Sequence, residues 1–335
     1  MTVQQAQRIV LASRPVGMPT HANFRTETTQ LPPLQQGEAL VKTTYLSVDP
    51  YMRGRMSEAK SYVPPYQIDA VMGGGAVGEV LESKSDTLKP GDTVVGELGW
   101  QTHAVVSADR LHKVNTDLAP VTTALGLLGI TGLTAYFGLV DICDPKPNET
   151  VVVSGAAGAV GMVVGQIAKI LGCTVIGIAG SDEKVAYLQD ELGFDHAINY
   201  KTTENMYKAI KQACPGGVDV YFDNVGGTIS DAVLGNISDG ARISICGQIA
   251  LYNLTQADVG PRAQTPILIH RAMMKGFIIM DYAQRFPEGV KQLAKWYGEG
   301  RLKSEETVVD GFDKTVDAFL GLFTGANLGK QLVRV

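Results

Sequence analysis

Residues 150–171 read TVVVSGAAGAVGMVVGQIAKIL. A short β-branched run is followed by a turn of small residues and then by an apolar stretch long enough for three helical turns, which predicts strand, glycine turn and helix in immediate succession. Gly155, Gly158 and Gly161 would let the backbone turn tightly, approach a pyrophosphate closely and leave the amides of the following helix open to it. A loose Gly-x-x-Gly pattern also serves packing alone. The strand before it and the helix after it supply the context that favours a dinucleotide loop.

Working outward, the same grammar recurs about every 25 residues, with strands expected at 150–154, 174–178, 196–199, 218–223, 241–246 and 275–279. Alternating β and α units require a parallel sheet covered by helices on both faces. The first part of the chain reads differently: EALVKTTY (38–45), GAVGEVLE (75–82) and DTVVGEL (92–98) are short strands separated by Gly and Pro turns. Beyond residue 300, strand-like 307–309, a helix over 313–321 and strand-like 330–335 return to that style. The expected fold is therefore α/β, with a Rossmann doubly wound parallel-sheet domain (126–299) inserted in a mainly-β domain (1–125 plus 300–335). A chain of 335 residues suits two domains.

Composition closes several classes of function. With 45% hydrophobic and 19% charged residues and a net charge of -5, the chain is globular and mildly acidic, which argues against a nucleic-acid or anionic-membrane surface. Cys143, Cys173, Cys214 and Cys246 are too scattered for a disulfide framework or a metal knuckle and read as free thiols of a reducing compartment. The N-terminal residues carry no uninterrupted apolar stretch of leader length, so a cytoplasmic protein is expected. Residues 121–140 are apolar enough to suggest a membrane span, but four Thr and four Gly favour a buried helix with a glycine kink. No Gly-x-Ser-x-Gly elbow and no Gly-Lys-Ser/Thr loop occurs, and the histidines lack ligand spacing, so serine-hydrolase, P-loop and tight metal chemistry are not expected.

The second strand of the α/β part ends Ile178-Ala179-Gly180-Ser181-Asp182-Glu183-Lys184. NAD-preferring folds place a carboxylate at that tip to bind the ribose diol. Here Gly180 and Ser181 occupy it, with Lys184 one turn on, a pattern suited to the 2′-phosphate of NADPH. The alternative is that Lys184 is merely solvated and Asp182 or Glu183 binds the ribose.

The segments 45–53 (YLSVDPYMR), 155–161, 165–169 (GQIAK), 223–227 (DNVGG) and 327–330 (NLGK) together resemble the medium-chain dehydrogenase/reductase superfamily. Within it they look like the prostaglandin reductase, or leukotriene B4 12-hydroxydehydrogenase, branch. The spacing and Ser13-Arg14-Pro15 look closest to the bacterial curcumin-reductase-like members. The resemblance spans the chain and implies a GroES-like mainly-β catalytic domain beside the Rossmann domain. Zinc-dependent members carry a Cys near Ser47 and Gly-His-Glu near Met72-Gly73-Gly74; neither stands here, and the structural zinc lobe after Asp92 is also missing. What is implied is zinc-independent, NADPH-dependent reduction of the activated carbon–carbon double bond of an enone or enal, by a homodimer.

The resemblance places cofactor contacts on Gly158, Ala159, Val160 and Gly161, on Lys184 and Tyr200, on Asn224, on Cys246, Gly247, Ile249 and Tyr252, on Phe277, Ile278 and Ile279, and on Asn327. Hydride addition to an enone leaves charge on its carbonyl oxygen, and Tyr252 is the candidate donor to that oxygen, although a pocket wall with solvent as proton source is the competing view. Tyr51 and Tyr62 are candidates for the substrate pocket, with packing as their alternative. Arg53 reads better as a structural partner and Cys246 as a packing thiol than as reacting groups. Two rival functions remain: quinone reduction within the same superfamily, and a non-enzymatic NADPH-binding module.

Overall fold

The computed structural model describes residues 4–335 and divides the chain into two compact units. The first runs to Leu125 and takes up the chain again at Glu306–Asn327 and Gln331–Val335; the second comprises Gly126–Glu305 and Leu328–Lys330.

In the first unit β1 (Gln5–Leu11) and β2 (Phe24–Gln30) form an antiparallel hairpin. Then come β3 (Glu38–Ser47), β4 (Gly75–Ser83), β5 (Thr93–Glu97), β6 (His103–Ser107) and β7 (His112–Lys113). The core contains Phe24, Trp100 and Phe319, with Trp100 stacked on Phe24 at 5.8 Å and edge-on to Phe319 at 5.5 Å. Such offset and edge contacts match the ring quadrupoles and add to the burial of large apolar surfaces.

The second unit supplies β8 (Thr150–Ser154), β9 (Thr174–Ala179), β10 (His196–Asn199), β11 (Val218–Asp223), β12 (Ile237–Ile245) and β13 (Met273–Gly276). They pair in parallel in the order β10-β9-β8-β11-β12-β13, the order 3-2-1-4-5-6 of a Rossmann sheet. The strand period assigns residues to faces. Val151 and Val153 join the cluster beneath helix Gly161–Ile170, while Val152 joins Tyr221 and Ile176 on the other face with helix Gly227–Leu234. Three strands depart from the expected bounds, β9 by the single residue Ala179. β12 starts at Ile237, four residues early, across a register shift beside Gly240 at φ +75°. β13 runs from Met273 to Gly276, two residues early at its start and three short at its end, and a 3₁₀ segment follows at Ile279–Arg285.

The apolar stretch 121–140 becomes a 3₁₀ turn, Val121–Leu125, and then helix Ile130–Val140. A Cβ on Gly132 would lie 1.8 Å from the Leu127 carbonyl oxygen, so the break demands glycine. Among the described residues no helix is long and apolar enough to cross a membrane. The chain then returns as β14 (Glu306–Asp310), helix Thr315–Gly321 and β15 (Lys330–Arg334), completing the antiparallel order β14-β15-β3-β4-β5-β7, with β6 also on β3. Residues 300–305 lie with the second unit, past the boundary at 299 expected from sequence. Buried Gln166 explains this: its amide donates to the Lys303 carbonyl at 3.1 Å and accepts from the Lys303 amide at 2.7 Å.

Gly165 fixes how closely helix Gly161–Ile170 can approach the segment after β9. A Cβ there would sit 1.9 Å from the Phe194 ring, and Phe194 is buried. Gly165→Ala is therefore expected to lower stability by about 1–3 kcal/mol, the usual cost of overpacking, despite the better helix propensity of alanine. Urea unfolding checks this; a midpoint at or above that of the parent chain would show that the helix simply shifts.

Candidate functional site

The loop after β8 is built by glycine geometry. Gly155 has φ +58°, the Gly158 amide donates to the Gly155 carbonyl at 3.0 Å, and a Cβ on Gly161 would lie 2.3 Å from that same oxygen. Glycines at 155 and 161 allow Ala159 and Val160 to lead straight into the helix, whose second amide, Met162, binds the Gly158 carbonyl at 3.0 Å. The Ala157 carbonyl accepts from the Gly329 amide at 2.9 Å, and Gly158 bridges Gly329 in parallel. Asn327 belongs to the first unit, two residues ahead of that contact.

Beneath the loop sits Asp223, with no exposed surface. One carboxylate oxygen accepts from Ser154 Oγ (3.0 Å), the Tyr221 hydroxyl (2.8 Å) and the amides of Val225 and Gly226 (both 3.0 Å); the other accepts from Ser230 Oγ at 2.5 Å. Ser154 Oγ in turn accepts the Asn224 amide, and the Asn224 side chain donates to the Ser154 carbonyl at 2.8 Å. The Asp223 carbonyl takes the amides of Cys246 and Gly247 at 2.9 and 3.1 Å. The ends of β8, β11 and β12 are thus tied to one residue.

At the tip of β9 the Tyr200 ring covers Gly180: a Cβ on Gly180 would be 3.0 Å from Tyr200 Cε1 and 3.1 Å from its hydroxyl. Ser181 caps helix Asp182–Ala186 by accepting the Lys184 amide at 3.3 Å. Lys184 is half-buried, and burial, helped by the charge of Lys201, holds its ammonium below the usual lysine range. Asp182 accepts from Asn199 Nδ2 at 2.7 Å. Two cations and a phenol therefore gather at this tip, suited to a phosphate rather than a bare ribose diol.

A cleft of about 450 Å³ lies at the ends of β12 and β13, lined by Cys246, Gly247, Gln248, Tyr252, Phe277, Ile278 and Asp281 among others. The Tyr252 hydroxyl oxygen accepts from the Gln248 amide at 3.4 Å, which draws the phenol to the strand end. Burial, with the charge of Asp223 behind it, pushes the Cys246 thiol up to about 12, so at neutral pH it is a protonated packing group. The Phe277 ring, besides lining the cleft, packs edge-on against Phe222 and Tyr282, and Ile279 packs on the core. Ile249 reaches back to the Asn224 carbonyl at 3.5 Å.

In the first unit Tyr51 is half-buried, and burial, with the nearby charges of Asp49 and Glu97, raises its phenol far above the ordinary range. Tyr62 is 60% exposed. Arg53 is buried and donates to the Gly17 carbonyl at 2.8 Å, which ties its helix to the 13–20 segment. Ser47 donates to Asp49, and a Cβ on Gly73 would lie 2.9 Å from the Tyr66 ring. Where zinc-dependent dehydrogenases carry ligands, this chain has a serine hydroxyl and a glycine beside the Tyr66 ring. Among the described residues no group of three or more His, Cys, Asp or Glu could hold a metal ion.

A Rossmann sheet with a glycine loop after its first strand and a basic tip after its second, carried in a chain with a separate antiparallel sheet, defines a two-domain dinucleotide-binding protein. Two family models match: an "N-terminal domain of oxidoreductase" over residues 7–114 and a "zinc-binding dehydrogenase" over 159–295. The zinc in that second description finds no donor set among the described residues. YfmJ of Bacillus subtilis (strain 168), named as an NADP-dependent oxidoreductase, is 57% identical over 100% of this chain and 99% of its own length. The NADPH-dependent curcumin reductase of Escherichia coli (strain K12) is 42% identical over 99% and 97%. CurA of Vibrio vulnificus, solved in complex with NADPH, superposes with a TM-score of 0.93 at 43% identity, over 98% of this chain and 99% of that one. The chain belongs to the zinc-independent medium-chain dehydrogenase/reductase family, in the branch of the curcumin and prostaglandin reductases.

The sequence points to most of these positions but not to the roles of Asp223, Ser154 and Ser230, nor to Asn199. For Asp223 the one signal it carries is an acidic residue at the end of an otherwise apolar strand, next to Asn-Val-Gly-Gly. Asp223→Asn puts two N–H donors where five donors already converge. It should cost roughly 2–4 kcal/mol and weaken dinucleotide binding, as buried polar networks do when one acceptor is lost. Thermal unfolding with and without dinucleotide tests this; an unchanged Tm in both conditions would show that the network is dispensable.

Proposed function

We propose that this protein uses NADPH to reduce the activated carbon–carbon double bond of α,β-unsaturated ketones and aldehydes. The observation that carries the reading is one unit presenting both a cationic, phenol-covered tip after β9 and a cleft edged by Tyr252 after β12. Curcumin, the substrate in the name of the Escherichia coli relative, is a conjugated ketone of this kind.

The chain's residues fit the cofactor. Gly158, Ala159, Val160 and Gly161 would line the pyrophosphate, Gly158 shaping the loop through its own bond to the Gly155 carbonyl and Gly161 fitting because no side chain has room there. Lys184 and Tyr200 would hold the 2′-phosphate, and Asn224, Cys246, Gly247, Ile249, Tyr252, Phe277, Ile278, Ile279 and Asn327 the remainder. When bound, NADPH supplies the hydride. Tyr252 is the residue assigned to donate a hydrogen bond to the carbonyl oxygen as charge collects there, a contact that accelerates because it strengthens in the transition state. Tyr51 and Tyr62 are assigned to the substrate pocket; burial of Tyr51 keeps its phenol protonated and so a donor. The reading includes a cytoplasmic homodimer, supported by four free cysteines and by exposed Leu268, Ile269 and Met273 beside the outer edge of β13.

NADPH oxidation should be rapid with a simple 2-alkenone and slow with a quinone; the reverse order would favour quinone reduction, and no turnover across an enone panel a binding module. Tyr252→Phe should lower kcat on the enone roughly 10- to 1,000-fold with NADPH affinity little changed. An unchanged single-turnover rate would reduce Tyr252 to a wall of the cleft. Lys184→Ala should weaken NADPH by about 1–3 kcal/mol and leave NADH nearly unaffected, the range for one charge-assisted hydrogen bond. Equal losses for both dinucleotides in a binding titration would mean that Lys184 acts through the fold.

A further inference from the structure

Asp182 and Glu183 stand immediately after the tip of β9, where a carboxylate that reached the ribose would favour NADH and repel a 2′-phosphate. The structure turns Asp182 elsewhere. Asn199, the last residue of β10 and the register partner of Ala179 at the end of β9, donates from Nδ2 to Asp182 Oδ1 at 2.7 Å. Its Oδ1 accepts the Lys201 amide at 3.0 Å, and its carbonyl accepts the Thr203 hydroxyl at 2.8 Å. Between these contacts the Tyr200 amide binds the Ala179 carbonyl, which seats the Tyr200 ring on Gly180. One amide side chain thus binds the acid and the backbone amide of Lys201 together.

We propose that Asn199 is a specificity-determining residue for the dinucleotide: it latches the Asp182 carboxylate away from the ribose and leaves the tip of β9 to Ser181, Lys184, Tyr200 and Lys201. The charges agree with this. Lys184 and Lys201 lie close enough to disfavour one another, an arrangement that a bound dianion relieves and that an inward-facing Asp182 would have neutralised. Asn199 needs no contact with the ligand to act; it is a positioning residue, and its effect passes through Asp182. The inference rests on the reading of this tip as a 2′-phosphate site.

The test is a set of calorimetric titrations of the full chain with NADPH, NADH, adenosine 2′,5′-bisphosphate and 5′-AMP. In Asn199→Ala the ratio of NADPH to NADH affinity should fall about tenfold, the scale of one charge-assisted hydrogen bond gained or lost, with the bisphosphate weakened in parallel. Asn199→Asp keeps an acceptor for the Lys201 amide but repels Asp182, so it should shift the ratio the same way. Adding Asp182→Ala to Asn199→Ala should restore the ratio, because the released carboxylate is gone. Equal weakening of NADPH and NADH by Asn199→Ala, or no recovery in the double variant, would overturn the latch and leave Asn199 as a turn former. A parent chain that binds adenosine 2′,5′-bisphosphate no better than 5′-AMP would instead sink the 2′-phosphate reading itself.

Discussion

A carboxylate with no exposed surface is the constraint on which the candidate site depends. Burying an unpaired Asp223 would cost several kcal/mol or more, so its donors must be in place whenever the protein is folded. Those donors come from β8 (Ser154), from β11 itself (Tyr221), from the turn after it (Val225, Gly226) and from the next helix (Ser230). The network therefore makes the glycine loop, the Asn224 turn and the Cys246-Gly247 segment a single cooperative object. A floor for a dinucleotide needs that rigidity, since backbone amides bind well only when they already point the right way.

Much of this architecture is legible in the amino-acid sequence. The strand–glycine–helix passage at 150–171 can be read because each step uses a local rule: β-branched residues for a buried strand, absent side chains for a tight turn, an apolar run for a helix under a sheet. The strands at 150–154, 196–199 and 218–223 have the expected bounds for the same reason. β12 escapes its bounds because a register shift beside Gly240 depends on its neighbour β11, and β13 because an edge strand carries a weaker hydrophobic pattern.

The roles of Asp223 and Asn199 are not legible there, since each depends on partners distant in sequence. Asp223 meets Ser154 across 69 residues and Asn199 meets Asp182 across 17. Lone polar residues of this kind look like strand ends or turns until the fold is closed. Gly73 is the opposite case. Its family position raises the question of a metal ligand, and any side chain there would first have to displace the Tyr66 ring 2.9 Å from its Cβ.

The Gly329–Ala157 contact has a consequence in time. The glycine loop after β8 is capped by a residue synthesised 172 positions after it. At ordinary rates of peptide-bond formation that is an interval of roughly ten to thirty seconds. During it, β8 and its helix can already be paired while the Ala157 carbonyl waits for its donor. On the ribosome the glycine loop thus exists first in an uncapped form, and the Ala157 carbonyl gains its intramolecular donor only once the Gly329 segment has been made.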